Sequence, residues 1–349
     1  MRSRLRFWKY PISIILLLLV IAAFTLLYAL SETVTAPYMP VETPEPVVTE
    51  TPEPDEDPEP PDEPEDEPEE DPPEVITYTP PADEFITIYM EDSDIHSGSL
   101  LLVNHDHSFS IPEDLDLVNI NEAKTIQFRV QYESAQLARS IMAPLDEMMD
   151  SFINATNIRY VTIRSAFRNY ANQERILNNY ISRMGRREAL RWAALPGHSE
   201  HHTGLAFDFG IISGGMVAAF NGTGNTSWFR RNSHEYGFIL RYLQGKTQIT
   251  QTSHEPWHFR YVGLPHSTIM FENNWCLEEY IEMLRDYTFE EPFEAELNDI
   301  LYAIYFVPGT EVKIPLNSEF ELSGNNIDGF IVTAIQLEHD PDEINDVSI

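Results

Sequence analysis

Residues 197–210 read GHSEHHTGLAFDFG, and residues 253–263 read SHEPWHFRYVG. These two stretches hold five of the eleven histidines in the chain. Asp208 lies in the alternating apolar run LAFDF, where an ionised carboxylate is costly unless it is paired or bound to a metal. A catalytic zinc ion requires three nitrogen or oxygen ligands and an open position for water. His201, Asp208 and His258 supply such ligands, so the two stretches predict a metal site.

Glu255 is a carboxylate close to these candidate ligands in sequence that is not itself one of them. It stands three residues before His258, and the intervening Pro256 and Trp257 would exclude water and fix the backbone. A carboxylate beside a metal can take a proton from metal-bound water as the water attacks a carbonyl. A single histidine in a loop is more often a surface or packing residue than a metal ligand. The prediction of a metal site therefore depends on the whole set of residues. The set favours metal-assisted hydrolysis.

Five elements between residues 98 and 265 carry a family resemblance. The two stretches match S-x-H-x-x-G-x-A-x-D and E-P-W-H-x-R-Y, and they are joined by GSLLLVNHDH at 98–107, SAFRNYANQ at 165–173 and WFRRNSHEYGFILRY at 228–242. In their order along the chain, these five elements resemble the VanY-type D-alanyl-D-alanine carboxypeptidases, the M15 family of zinc peptidases acting on bacterial cell-wall peptides. The resemblance implies an α+β domain of the LAS or Hedgehog/DD-peptidase type, with a central, mainly antiparallel sheet and flanking helices.

The resemblance also implies a role for each matching residue. His201, Asp208 and His258 match the family's Zn²⁺ ligands, and Glu255 matches its catalytic base. Arg168 matches the arginine that contacts the scissile carbonyl and stabilises the oxyanion, a task that suits a permanently charged group with several donors. The candidate substrate contacts are Ser199, Gln173 and Trp257.

Two alternatives stay open at individual positions. Arg168 could instead form a salt bridge within the core. His202 matches no family ligand, but it would compete as a ligand if the local backbone differed from expectation. Phe167 and Asn169 stand where the family usually has tyrosine and serine, so the resemblance does not carry the family's fine specificity over to this chain.

The implied reaction is hydrolysis of the terminal D-alanyl-D-alanine bond of peptidoglycan stem peptides by a zinc-dependent D,D-carboxypeptidase. An L,D-carboxypeptidase or an endopeptidase acting on the same stem peptides would share the motifs. A non-catalytic zinc-containing module that binds the wall is a third interpretation. The presence of both Glu255 and Arg168 disfavours that module.

Composition excludes several classes of partner and site. The 349 residues include 57 acidic and 22 basic side chains, a net charge of −35. Such a chain would not neutralise phosphate, so we expect no nucleic-acid partner. Cys276 is the single cysteine, which excludes an intramolecular disulfide and a cysteine-rich zinc cluster.

The N-terminal part of the chain predicts a membrane anchor. Residues 1–10 carry four basic side chains, and residues 11–30 are apolar over about 20 positions, enough to span a bilayer. The charge places residues 1–10 in the cytoplasm and the rest outside. The apolar run is longer than that of a cleaved signal peptide, and no convincing cleavage site follows it. We therefore expect a single-pass protein of the bacterial cell membrane, with an extracytoplasmic catalytic domain.

Three further segments follow the anchor. Residues 31–83 are a predicted disordered spacer, because residues 41–84 hold 19 acidic and no basic side chains among many prolines. Residues 84–290 are the predicted catalytic domain, with helical patterns at 132–152, where Pro144 should cause a kink, and at 172–195. Residues 291–349 alternate as short strands and predict a small β appendage, either a binding module or a structural cap.

Overall fold

The computed structural model describes residues 85–316 and 318–336. The predicted cytoplasmic segment, membrane anchor and spacer (1–83) therefore lie outside the described residues. Within the described ranges, no helix combines the length and apolar character needed to cross a membrane. All described residues belong to one compact unit.

The described residues contain many short strands, two 15-residue α-helices and several shorter helices. The strands are β1 (Phe85–Tyr89), β2 (Leu117–Asn119), β3 (Arg129–Val130), β4 (Gln136–Ala138), β5 (Val161–Ser165), β6 (Ala206–Ser213), β7 (Met216–Ala219), β8 (Phe238–Leu240), β9 (His258–Tyr261), β10 (Phe293–Leu297), β11 (Ile300–Pro308), β12 (Glu311–Pro315), β13 (Ser318–Gly324) and β14 (Gly329–Gln336). The α-helices are α1 (Ile120–Ala123), α2 (Met142–Thr156), α3 (Tyr170–Met184), α4 (Arg186–Ala189), α5 (Ser227–Asn232), α6 (Thr247–Thr250), α7 (His266–Glu272) and α8 (Leu277–Leu284).

The central sheet has the strand order β3-β5-β6-β9-β8, and β7 pairs with β6 at one side. Only the β3–β5 pair is parallel among these described strands, which confirms the mainly antiparallel sheet. The β6–β9 register places Asp208 opposite His258. A register shift in β5 places Ser165 opposite Asp208 on the other side. The sheet therefore brings three distant parts of the chain to one point.

Alternation along β6 separates the core from the site. Phe207 and Phe209 are fully buried, and the Phe209 ring lies 4.2 Å from the Phe229 ring of α5 between centroids. Phe229 in turn lies 4.3 Å from Phe152 of α2. Because successive side chains of a strand point to opposite faces, the phenylalanines occupy the helix-covered face and Asp208 the other.

Neither predicted helix is continuous over its expected range. Residues 132–141 form a turn, β4 and a 3-10 turn, and α2 begins only at Met142. The predicted kink at Pro144 is therefore wrong. The residue lies in the first turn, where the missing N–H of proline costs no hydrogen bond. The second pattern is divided into α3 and α4 at Gly185, whose φ of 80° interrupts the helix.

The C-terminal strands form a four-stranded antiparallel sheet of order β10-β11-β14-β13, as the alternating pattern predicts. The domain boundary at 290 does not separate the strands, however, because β1 pairs with β12. The appendage also shares a hydrophobic core with α7, α8 and β8. In addition, the side-chain amide of Asn326 donates to the carbonyls of Leu102 and Ser108, at 2.8 and 3.0 Å. The appendage is thus packed directly on the catalytic domain.

Candidate metal centre and active site

His201, Asp208 and His258 form a compact group in which one donor atom from each residue lies within 4.8 Å of the others. Asp208 Oδ1 lies 2.9 Å from His258 Nδ1 and 3.4 Å from His201 Nε2. Asp208 belongs to β6 and His258 begins β9, while His201 lies in a 3-10 turn just before β6. The pairing of β6 with β9 therefore assembles the group from residues far apart in sequence.

The orientation of His201 leaves a nitrogen facing the other two residues. Its Nδ1 lies 2.7 Å from the Ala166 carbonyl oxygen, which can only accept, so Nδ1 carries the proton. Its Nε2 is buried and has no hydrogen-bond partner among the described residues. A buried lone pair without a partner is costly, and a metal ion would satisfy it. Two imidazoles and one carboxylate fit a catalytic zinc site with three protein ligands.

The protonation of these groups in the metal-free protein follows from their neighbours. Burial and the nearby Arg168 lower the pKa of His201 to about 4, so this ring is neutral at physiological pH. Burial raises the pKa of Asp208, but the two histidines outweigh it and hold that pKa well below its usual range. Burial lowers the pKa of His258, yet its hydrogen bonds to Asp208 and Glu200 raise it to about 9. A metal must therefore displace a proton from His258.

Arg168 lies beside the metal group and is held by three acceptors. Its Nη1 donates to Gln173 Oε1 at 2.7 Å, its Nε to Ser165 Oγ at 3.2 Å and its Nη2 to Asp208 Oδ2 at 3.2 Å. The salt bridge that sequence reasoning left open is thus present. Both side chains of this ion pair nevertheless remain 14% exposed, so the pair is not sealed within the core.

Glu255 lies next to the metal group without belonging to it. Its Oε2 is 4.0 Å from His258 Nδ1, and the residue is buried. Burial raises the pKa of Glu255 to about 8, while His258, Arg168 and a hydrogen bond from Trp257 act in the opposite direction. A carboxylate with a pKa near neutrality is suited to accepting and then releasing a proton.

The three candidate substrate contacts lie in different settings. Ser199 is buried at the start of the 3-10 turn that carries His201. Gln173 is fully buried, and its side chain joins Arg168 to the Ala194 carbonyl. Trp257 is half-buried and stacks on Trp192 with ring centroids 6.5 Å apart. Contact of any of the three with a peptide stays a prediction.

His202 has no nitrogen left for a metal. Its Nε2 accepts the Gly197 N–H at 3.0 Å, so its Nδ1 must carry the proton and donate to the Arg168 carbonyl at 2.6 Å. Both nitrogens are therefore used in holding the backbone around Arg168. The alternative of His202 as a competing ligand is wrong for this backbone.

Sequence reasoning missed a buried charged network behind His258. Glu200 contacts His258 Nε2 at 3.2 Å, Arg241 Nε at 2.7 Å and Arg260 Nη1 at 2.8 Å. Arg241 also donates to both oxygens of Glu278, at 2.7 and 2.8 Å. The available signal was an arginine inside each of two otherwise apolar strand patterns, FILRY and HFRY.

Comparisons with known proteins identify relatives of this chain. A family model described as VanY, D-alanyl-D-alanine carboxypeptidase, matches residues 134–264. A D-alanyl-D-alanine carboxypeptidase of Enterococcus faecium is 33% identical over 248 residues, which cover 69% of this chain and 77% of the relative. Another from Enterococcus faecalis is 32% identical over 212 residues, covering 58% of this chain and 72% of that protein.

A solved structure shows the same fold. The vancomycin-resistance D,D-dipeptidase VanXYg, in complex with a D-Ala-D-Ala phosphinate analogue, is 35% identical and superposes with a TM-score of 0.65. The match covers 72% of this chain and 99% of that chain. The resemblance drawn from the sequence motifs is confirmed: the chain is an enzyme that belongs to the VanY family of D-alanyl-D-alanine carboxypeptidases.

Proposed function

We propose that this enzyme is a zinc-dependent D,D-carboxypeptidase that hydrolyses the terminal D-alanyl-D-alanine bond of peptidoglycan stem peptides. The observation that carries the proposal is the convergence of His201, Asp208 and His258, with Glu255 and Arg168 beside them. The relatives named as D-alanyl-D-alanine carboxypeptidases support the substrate class.

The chemistry divides between a bound ion and the side chains around it. His201, Asp208 and His258 would hold the zinc ion, since their donor atoms converge. When bound, such an ion lowers the pKa of water toward about 7 and polarises a carbonyl oxygen. Everything else in the reaction depends on Glu255, Arg168 and the groups that hold them.

Glu255 is placed to move the proton. Its carboxylate lies beside the ligand group but outside it, so its oxygens stay available to a water or an amine. We assign to it the acceptance of the proton of the attacking water and its delivery to the leaving amine of D-alanine. Its burial keeps its pKa close to neutral pH, which allows both directions of transfer.

Arg168 is placed to stabilise negative charge. A guanidinium has five N–H donors, and three of them are used on Gln173, Ser165 and Asp208. Among the described residues, the remaining two are left for the oxygen of the scissile carbonyl. Because the three acceptors fix the plane of the guanidinium, it needs no reorganisation as charge develops on that oxygen.

Defined peptides test the proposal. We expect the zinc-loaded enzyme to remove one D-alanine from a pentapeptide stem ending in D-Ala-D-Ala and to leave the matching tetrapeptide intact, as mass spectrometry would show. A chelator should stop the reaction, and added Zn²⁺ should restore it.

Other product patterns separate the alternatives. Loss of D-alanine from the tetrapeptide would identify an L,D-carboxypeptidase, and internal cleavage would identify an endopeptidase. Cleavage of free D-Ala-D-Ala would indicate dipeptidase activity. If the zinc-loaded chain cleaves none of these peptides, the proposed activity is wrong.

We also propose that residues 11–30 anchor the enzyme in the bacterial cell membrane with the catalytic domain outside. The basic residues before this apolar run support the orientation, and the substrate lies on the outer side of the membrane. We expect the chain to sediment with membranes and to be digested by protease added to cells stripped of their wall. Protection from that protease would contradict the orientation.

A further inference from the structure

The two histidines of the metal group present opposite nitrogens to Asp208. His201 presents Nε2, because its Nδ1 is bonded to the Ala166 carbonyl. His258 presents Nδ1, at 2.9 Å from Asp208 Oδ1, and its Nε2 points to Glu200 instead. The acid in contact with His258 Nε2 is Glu200, a residue to which no family motif in the sequence assigned a role.

The two oxygens of Glu200 have separate partners. Oε1 accepts from Arg241 Nε and Arg260 Nη1, at 2.7 and 2.8 Å, while Oε2 lies 3.2 Å from His258 Nε2. The Glu200 side chain is fully buried. Arg241 and Arg260 stay charged and can only donate, and an acid buried between two such cations is a carboxylate that can only accept.

The arginines themselves are fixed by further partners. Arg260 Nη2 donates to the carbonyls of Ser99 and Leu101, both at 2.9 Å. Arg241 is bonded to both oxygens of Glu278 at the start of α8. Because Oε1 accepts from both arginines, the plane of the Glu200 carboxylate is fixed, and Oε2 is directed toward His258.

We propose that Glu200 is a positioning residue of the metal centre: by accepting the Nε2 proton of His258, it selects the ring orientation and tautomer in which Nδ1 is the metal ligand. The inference rests on the proposed metal site and adds the residue that prepares it. Partners of this kind typically contribute about 10- to 100-fold to metal affinity.

Glu200→Gln is the informative change, because it keeps the shape and reverses one hydrogen bond. Arg241 and Arg260 can only donate, so the glutamine oxygen must remain with them. Its amide N–H₂ then faces His258 Nε2, which can accept only if the ring proton moves to Nδ1. That proton occupies the lone pair required for the metal. We expect the zinc dissociation constant, measured against a competing chelator, to rise by about 10- to 100-fold.

Glu279→Gln is the matched control. It also removes one salt-bridged carboxylate, which bonds Lys246 Nζ at 2.7 Å, but the described residues show no contact of Glu279 with Glu200, Arg241, Arg260 or His258. We expect its zinc dissociation constant to equal that of wild type, even if thermal unfolding shows that both variants are destabilised. Equal losses of affinity in the two variants, or wild-type affinity in Glu200→Gln, would overturn the proposal.

A spectroscopic measurement on the wild-type chain keeps the proposal testable if Glu200→Gln does not fold. In long-range ¹H–¹⁵N spectra of the zinc-loaded protein, we expect the proton of His258 on Nε2 and that of His201 on Nδ1. A proton on Nδ1 of His258 would refute the role of Glu200. Wild type that binds no zinc would refute the proposed function as well, whereas wild type that binds zinc with the wrong tautomer refutes this inference alone.

Discussion

Glu255→Gln is expected to lower kcat by about 100- to 10,000-fold, the range that a positioned general base contributes. Glutamine has nearly the same shape but cannot accept the proton of the attacking water. Zinc affinity should be unchanged, because Glu255 lies 4.0 Å from His258 Nδ1 and outside the ligand group. Loss of activity with retention of metal would therefore place Glu255 in the proton transfer.

The measurement combines kcat on the pentapeptide with a chelator titration of zinc affinity. Glu296→Gln, an exposed change on β10, is the control for substitution of a glutamate at the surface. Because burial disfavours the charged form of Glu255 in the metal-free protein, glutamine should not reduce its thermal stability. Release of D-alanine by Glu255→Gln at the wild-type rate would show that another group takes the proton.

The candidate metal ligands could be predicted from the sequence because each lies in a short stretch with a recognisable pattern. The alternation LAFDF shows that Asp208 lies on the opposite face from Phe207 and Phe209 whatever β6 pairs with. What the pattern does not contain is the β6–β9 register that sets Asp208 opposite His258. The family resemblance supplied that missing long-range information, and composition alone would have given only a mixed fold.

The features that the sequence did not predict depend on contacts between distant parts of the chain. The apolar spacing over 132–152 is helical throughout, yet the chain before Met142 pairs as β4 with β2, a contact that the local pattern does not encode. The boundary at 290 followed composition, whereas β1 pairs with β12 more than two hundred residues later in the sequence. Tertiary pairing outweighs local propensity in both cases.

Glu200, the proposed positioning residue, was harder to predict from the sequence than the proposed metal ligands. In sequence, the residue is an ordinary acid between a serine and a histidine, while Arg241 directly follows the apolar strand β8 and Arg260 lies in β9. Taken singly, each of these three charged side chains is unfavourable in a buried position. Only when β8 and β9 pair, with Ile239 opposite Arg260, does a buried position with two cations and one anion arise. The three charges are compensated only when the fold brings them together, which the sequence pattern does not show.

Arg168→Ala is expected to lower kcat/KM by about 100- to 1000-fold, as removal of one oxyanion donor does in other hydrolases. Arg168→Lys should recover little of this loss. A single ammonium group cannot match the fork that bonds Gln173, Ser165 and Asp208 at once and still presents donors to the substrate. The measurement is the full kinetic comparison of the three proteins on the pentapeptide.

The competing explanation, in which Arg168 serves only as a salt bridge to Asp208, predicts a different pattern. Loss of that ion pair would reduce thermal stability and leave kcat of the zinc-loaded fraction unchanged. Removing a cation 3.2 Å from a ligand carboxylate should not weaken zinc binding, because Arg168 and the metal compete for the charge of Asp208. If Arg168 acts on the substrate, guanidinium added to Arg168→Ala should restore part of the lost rate, whereas a structural ion pair gives no reason for kcat to respond to it.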